Sequence, residues 1–182
     1  MARETKVSVF MGISLDGFIA RIDGNLDFLD FVSDEGEDYG YKKFMESIDC
    51  ILMGRITFEK VLTFDEFPYS KPVLVYSNNI EIPKELSKKV EKISGEPKEV
   101  LVKLGQKGFN SIYLDGGITV SNFLKENLVD EIILTRVPYL LGKGIPLFHE
   151  WISETGLHHE YTREYPSGLV QSKYRINSEM DI

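Results

Sequence analysis

Short apolar runs alternate with amphipathic stretches along most of this chain. Val7 to Ile13 is an apolar run with charge before it and Ser14-Leu15-Asp16-Gly17 after it, which predicts a buried strand closed by a turn. Tyr41, Phe44, Met45 and Ile48 fall at helical spacing and predict an amphipathic helix. Cys50 to Met53 predicts a second buried strand closed by Gly54, and Ile56, Val61 and Leu62 carry a helix on to near Phe64. Pro72 to Tyr76 reads as a third strand, with Ser77-Asn78-Asn79 as its exit. Val100, Leu101 and Leu104 mark a helix stopped by Gly108. Ser111 to Leu114 reads as a strand, followed by Asp115-Gly116-Gly117 and a helix carrying Val120, Phe123, Leu124 and Leu128. Glu131 to Val137 is another strand. Leu157 to Tyr165 and Leu169 to Ile176 predict a hairpin turned by Pro166-Ser167-Gly168. The alternation predicts an α/β fold: a mostly parallel central sheet flanked by helices, with a C-terminal antiparallel hairpin.

Composition narrows this picture. At 182 residues, with 42% hydrophobic content and 11 Phe and 9 Tyr, the chain reads as one domain over residues 1–182 with a sizeable core. The single cysteine, Cys50, leaves no internal disulfide and no Cys-rich zinc site, and points to a reducing cytoplasm. No apolar run approaches the roughly 18 residues of a spanning helix, and the N-terminus lacks the apolar core of a signal peptide.

Charge is unevenly spread. The net charge is −8, and the stretch Asp23–Asp38 holds seven acids and no Lys or Arg, so it carries −7 while the other 166 residues carry −1. No basic excess suits a phosphate backbone or an anionic bilayer, so neither nucleic acid nor membrane is an expected partner. The run Lys84, Lys88, Lys89 and Lys92 is interleaved with Glu85 and Glu91 and reads as a solvated face. Leu26, Phe28, Leu29, Phe31 and Val32 interrupt the acidic stretch, which predicts a packed loop or irregular helix.

The candidate chemistry lies where strands end. Leu114-Asp115-Gly116-Gly117-Ile118-Thr119 ends a strand, turns on two glycines and opens a helix, whose free N–H groups and dipole suit a phosphate. Ile51-Leu52-Met53-Gly54-Arg55-Ile56-Thr57 repeats the design and adds Arg55, whose planar, permanently charged fork suits a ribose 2′-phosphate. Tyr76-Ser77-Asn78 supplies a third polar strand end. Ligands of α/β sheets bind outside such carboxyl ends, so the three together favour a dinucleotide. Other motifs are missing. There is no GxGxxG, no P-loop and no GxSxG elbow, and His149, His158 and His159 form no HExxH. Asp23-Gly24-Asn25-Leu26-Asp27 opens like a calcium loop, but Phe28 stands where glycine is needed. No metal site is expected.

In order and spacing, these segments resemble the dihydrofolate reductase-like fold. The branch they resemble is the reductase (RibD C-terminal) domain of bacterial riboflavin biosynthesis proteins. The resemblance rests on Ser14-Leu15-Asp16-Gly17-Phe18-Ile19-Ala20, Met53-Gly54-Arg55-Ile56-Thr57-Phe58 and Asp115-Gly116-Gly117. It rests most on Leu128-Val129-Asp130-Glu131 followed by Pro138-Tyr139-Leu140-Leu141-Gly142-Lys143-Gly144-Ile145-Pro146-Leu147-Phe148. It implies an NADPH-dependent oxidoreductase reducing a C=N or C=O bond in a small heterocycle or carbonyl. By the same resemblance, Met11, Gly12 and Ile19 hold the nicotinamide, Gly54, Arg55 and Thr57 the adenosine phosphates, Ser77 and Asn78 the adenine ribose, and Gly116, Gly117, Ile118 and Thr119 the pyrophosphate. Asp27 and Asp30 are the candidate proton relay, and a homodimer is expected. Dihydrofolate and 5-amino-6-(5-phosphoribosylamino)uracil are the alternative substrates, and a non-catalytic nucleotide-binding protein is the alternative of another class. Asp115 stands where the family commonly has the first of three glycines. Thr63-Phe64-Asp65-Glu66-Phe67-Pro68 lacks the arginine that holds the folate glutamate. The acidic stretch, placed by the resemblance at the rim of the substrate pocket, predicts a neutral or cationic substrate.

Overall fold

The computed structural model describes residues 5–32, 36–150, 152 and 154–176. The strand β1, Lys6–Ser14, alternates its side chains between two apolar layers, with Val7 and Val9 in one and Phe10 against the other. Leu52 and Cys50 of β3 (Cys50–Gly54) face the first layer, while Ile51 and Met53 face the second. Strands apolar on both faces must be covered on both, and they are. The helices α3 (Pro97–Gln106) and α4 (Gly117–Lys125) supply Val100, Leu101, Leu104, Val120 and Phe123 to the first layer. The helices α1 (Tyr41–Glu46) and α2 (Arg55–Val61) supply Phe44, Phe58 and Val61 to the second.

With β4 (Val73–Tyr76), β5 (Val90–Ile93), β6 (Ser111–Asp115), β7 (Glu131–Val137), β9 (Leu157–Glu164) and β10 (Val170–Ile176), the eight-stranded sheet has the order β5-β4-β3-β6-β1-β7-β10-β9. The strands from β5 through β7 pair parallel, and β10 and β9 pair antiparallel beyond them. This is the sheet that the alternation predicts. The turn at Pro166–Gly168 closes with the Gly168 N–H donating to Tyr165 at 2.9 Å.

Three local readings change. The lysine run contains a strand, β5, whose Val90 and Ile93 point inward while Glu91 and Lys92 face out. Two inward residues on an outer strand leave almost no pattern to read. A short sheet pairs β2 (Phe18–Ala20) with β8 (Ile145–Pro146), a long-range pairing of segments too short to show periodicity. Leu128 lies beyond α4, which ends before Asn127 takes a positive φ of 54°. The acidic stretch is partly a 3-10 turn at Asp27–Val32, anchored by the buried Phe28. Asp34 and Glu35 lie outside the described residues, as does the N-terminus up to residue 4. No described helix is long and apolar enough to cross a membrane.

A candidate active site at the carboxyl ends of the parallel strands

β1, β3, β4 and β6 end side by side and open onto one cleft of about 760 Å³. Its walls hold Met11, Gly12 and Ile19, then Gly54, Arg55 and Thr57, then Ser77, then Gly116, Gly117, Ile118 and Thr119. The structure therefore brings together every candidate cofactor residue except Asn78, which is exposed and outside this lining.

The two glycine turns interlock. β3 and β6 are neighbours, with Met53 beside Asp115, so the turns that follow lie against each other. A Cβ at Gly54 would stand 2.5 Å from the Thr119 Oγ1, and one at Gly116 would overlap the Thr57 hydroxyl. Each turn has glycine where the other has threonine, at the same three-residue spacing. Gly116 also has a φ of 93°, which an L side chain resists. A Cβ at Gly117 would meet the Pro146 carbonyl oxygen at 2.5 Å. Gly117, Ile118 and Thr119, which open α4, line the cleft, and the first N–H groups of a helix have no partner within it. Arg55 lies at the rim, exposed, with its Nη1 2.7 Å from Glu59. Bare backbone, a helix start and a fixed cation fit a phosphate-bearing dinucleotide.

The inner wall is aromatic and carries one buried acid. Phe10, Tyr41, Tyr69 and Tyr113 line it with Asp115, which is 8% exposed. Tyr113 and Asp115 are two apart on β6 and so share a face of the sheet. Phe44 braces the group, 4.9 Å from Phe10 and 5.2 Å from Tyr113 between ring centres. Burial pushes the Asp115 carboxyl up to about 6, against the opposing hydrogen bonds from the Gly116 N–H and the Tyr69 hydroxyl. Burial, with the Asp115 charge beside it, raises the Tyr41 hydroxyl to about 12, and the Tyr69 and Tyr113 hydroxyls are raised by the same causes. The phenols thus stay protonated, and Tyr113 donates to the Phe10 carbonyl at 2.9 Å.

Asp27 and Asp30 do not join this group. Both are exposed and neither lines the cleft. Asp27 is held 2.6 Å from the Arg21 Nε, a bond that keeps its carboxyl below the usual range. The acidic stretch buries Phe28 and places Gly24, Leu26 and Leu29 on the cleft wall, while Phe31 is exposed and none of its described acids lines the cleft. The expected preference for neutral or cationic substrates thus loses its local basis. Lys60 is on the wall and has no ion-pair partner among the described residues. Asp115 was visible in the sequence only as an acid ending an apolar strand before Gly-Gly. Among the described residues no group of three His, Cys, Asp or Glu could hold a metal ion.

The model of the RibD C-terminal domain matches residues 5–170. The chain belongs to the RibD C-terminal domain family. It is 37% identical over 166 residues to the uncharacterized protein YwjB of Bacillus subtilis (strain 168), covering 89% of this chain and 93% of that one. A Shewanella sp. PV-4 protein, provisionally described as a riboflavin biosynthesis protein, has a crystal structure that superposes with a TM-score of 0.91 at 41% identity. That match covers 95% of this chain and 99% of the other. The Thermotoga maritima diaminohydroxyphosphoribosylaminopyrimidine deaminase/5-amino-6-(5-phosphoribosylamino)uracil reductase has a TM-score of 0.73 at 18% identity, over 95% of this chain and 57% of that one, which shows a shared fold. Membership of this family supports a reductase role and gives the sheet its name, a RibD reductase-like fold of the dihydrofolate reductase type.

Proposed function

We propose that this chain is an NADPH-dependent reductase acting on a C=N or C=O bond of a small heterocyclic or carbonyl substrate. One observation carries the reading: the glycine turns, Arg55 and the buried, titratable Asp115 all face the same cleft. NADPH, when bound, supplies the hydride. The chain supplies the rest. The N–H groups that open α4 and the Arg55 guanidinium bind phosphates, and Met11, Gly12 and Ile19 shape the wall between them and the inner pocket. The aromatic wall excludes water from a planar substrate. Asp115, protonated in part near neutral pH, delivers the proton that reduction requires, and Tyr69 orients its carboxyl. In this reading Asp115 takes the proton-relay role that the sequence assigns to Asp27 and Asp30.

NADPH fluorescence tests the cofactor. Wild-type protein is expected to bind at micromolar NADPH. Arg55→Ala is expected to weaken NADPH by about tenfold or more while leaving NADH nearly unchanged, because the lost bond is charge-assisted and made to the 2′-phosphate. No binding at high micromolar NADPH would overturn the reading in favour of a protein without reductase activity.

A second reading, reduction of 5-amino-6-(5-phosphoribosylamino)uracil, is favoured by Lys60, a cation that an anionic substrate group could meet. A panel of that compound, dihydrofolate and neutral carbonyls separates the two. Selective loss of kcat/KM for the phosphorylated compound in Lys60→Ala would favour the second reading. We also propose a homodimer, for which the outer strand β9 leaves an exposed edge. A monomeric mass in light scattering would count against it.

A further inference from the structure

We propose that Asp16 is a positioning residue that clasps the strap formed by residues 138–149 over the cofactor side of the cleft. The carboxylate gathers donors from both sides of a gap of more than a hundred residues. Its Oδ1 accepts the Ser14 hydroxyl at 2.6 Å and the Leu141 N–H at 3.1 Å, and its Oδ2 accepts the Gly142 N–H at 2.7 Å. Consecutive amides converge on one anion only where the backbone folds into a concavity, and Gly142 provides it with a φ of 69°. Ser14, fully buried, also accepts the Phe18 N–H at 3.0 Å, so the carboxylate is tied to the start of β2.

The strap continues from this clasp to the cleft. Leu147 donates its N–H to Gly17 at 3.2 Å, and Phe18 and Ala20 of β2 pair with Pro146 and Ile145 of β8. A Cβ at Gly144 would stand 2.5 Å from the Ala20 carbonyl, so strap and β2 are in direct contact. At its far end the Ser121 hydroxyl of α4 donates to the Leu147 carbonyl at 3.3 Å and accepts the His149 N–H at 3.0 Å. Ile19, Ala20 and Ile145 line the cleft, and Pro146 presses on Gly117, the first residue of α4. Asp16 itself is exposed and does not line the cleft. Its charge acts through the strap on the wall beside the glycine turn.

The role at the cofactor rests on the proposed NADPH site, whereas the clasp itself does not, and two measurements keep them apart. Amide hydrogen exchange on the ligand-free protein reads the clasp. Asp16→Ala is expected to speed exchange at Leu141 and Gly142 by at least about tenfold, with β1 and β7 as protected as before. Steady-state kinetics reads the consequence: KM for NADPH rises about tenfold in Asp16→Ala while kcat stays within about twofold. Gly142→Ala, which strains the same concavity from the strap side, is expected to give the same split. Unchanged exchange at both amides in Asp16→Ala would overturn the clasp. Faster exchange with unchanged KM, or with kcat falling as far as KM rises, would overturn the positioning role. If wild-type protein binds no NADPH, the cofactor reading fails, and the exchange result still decides the clasp.

Discussion

Asp115 is buried at the end of β6 yet titrates near neutrality, at about 6. Its folded-state value lies above the ordinary 3.8, so the folded protein holds this proton more tightly than the unfolded chain. The stabilisation that follows is complete below about pH 4 and is lost as pH rises through about 6, a cost of order 3 kcal/mol by linkage. Asp115→Asn removes that cost. It is expected to raise stability in urea at pH 8 by about 1–3 kcal/mol and to flatten the pH dependence between 4 and 6. The same substitution removes the proposed proton donor, and kcat should fall by 10²-fold or more. Gain of stability with loss of turnover is the pattern expected of a group retained for chemistry. Turnover that survives in Asp115→Asn would move the proton source elsewhere. In the wild-type enzyme, activity limited by the protonated carboxyl should decline as pH rises above about 6.

At the scale of elements, the interlocked turns after β3 and β6 are the most constrained part of the cleft. Gly117→Ala brings a methyl against a backbone carbonyl, that of Pro146, which can yield only if the strap shifts. The expected result is weaker NADPH binding, by about tenfold, with a modest fall in melting temperature. Gly54→Ala meets only the Thr119 hydroxyl, and Thr119→Ser leaves that hydroxyl in place. Reducing Thr119 to alanine removes it, so the double variant Gly54→Ala/Thr119→Ala should be closer to wild type in stability than Gly54→Ala alone. Additive losses in a double-mutant cycle would show that the turns do not interlock.

Across the whole molecule, the cleft end of the sheet is open and the opposite end is tied. Glu131 at the start of β7 accepts the Ser8 hydroxyl of β1 at 2.8 Å and pairs with Lys6 of β1 at 2.8 Å and Lys173 of β10 at 3.0 Å. It joins the parallel block to the antiparallel hairpin. Burial opposes its charge, but the bonds from Lys6, Lys173 and Ser8 outweigh burial and hold the carboxyl below its ordinary value. Its stabilisation is therefore present above the ordinary glutamate range and is lost as pH falls through the lowered value. Glu131→Gln should cost about 1 kcal/mol in urea unfolding at pH 7, because it leaves the half-exposed Lys6 without its carboxylate and Lys173 with Glu160 alone. It lies at the other end of the strands from the cleft, so KM for NADPH should be unchanged.

The sequence by itself determined most of the sheet. Apolar runs such as Val7–Ile13 and Glu131–Val137 are strands because a segment buried on both faces needs apolar residues at nearly every position. Glycines at 54, 116 and 117 marked the strand ends, since turns that press on one another tolerate no side chain. Tertiary structure alone decided which acid enters the cleft. The stretch 23–38 is the most acidic in the chain, yet it turns Leu26 and Leu29 inward and leaves Asp27 and Asp30 in solvent. Asp115 is a single acid in an apolar strand, and its titration near 6 depends on burial among Tyr41, Tyr69 and Tyr113. Those tyrosines come from separate elements that no local pattern connects. The pairing of β2 with β8 and the grip of Asp16 on residues 141 and 142 are hidden for the same reason. Periodicity records which face of an element is buried; it carries no record of what packs against that face.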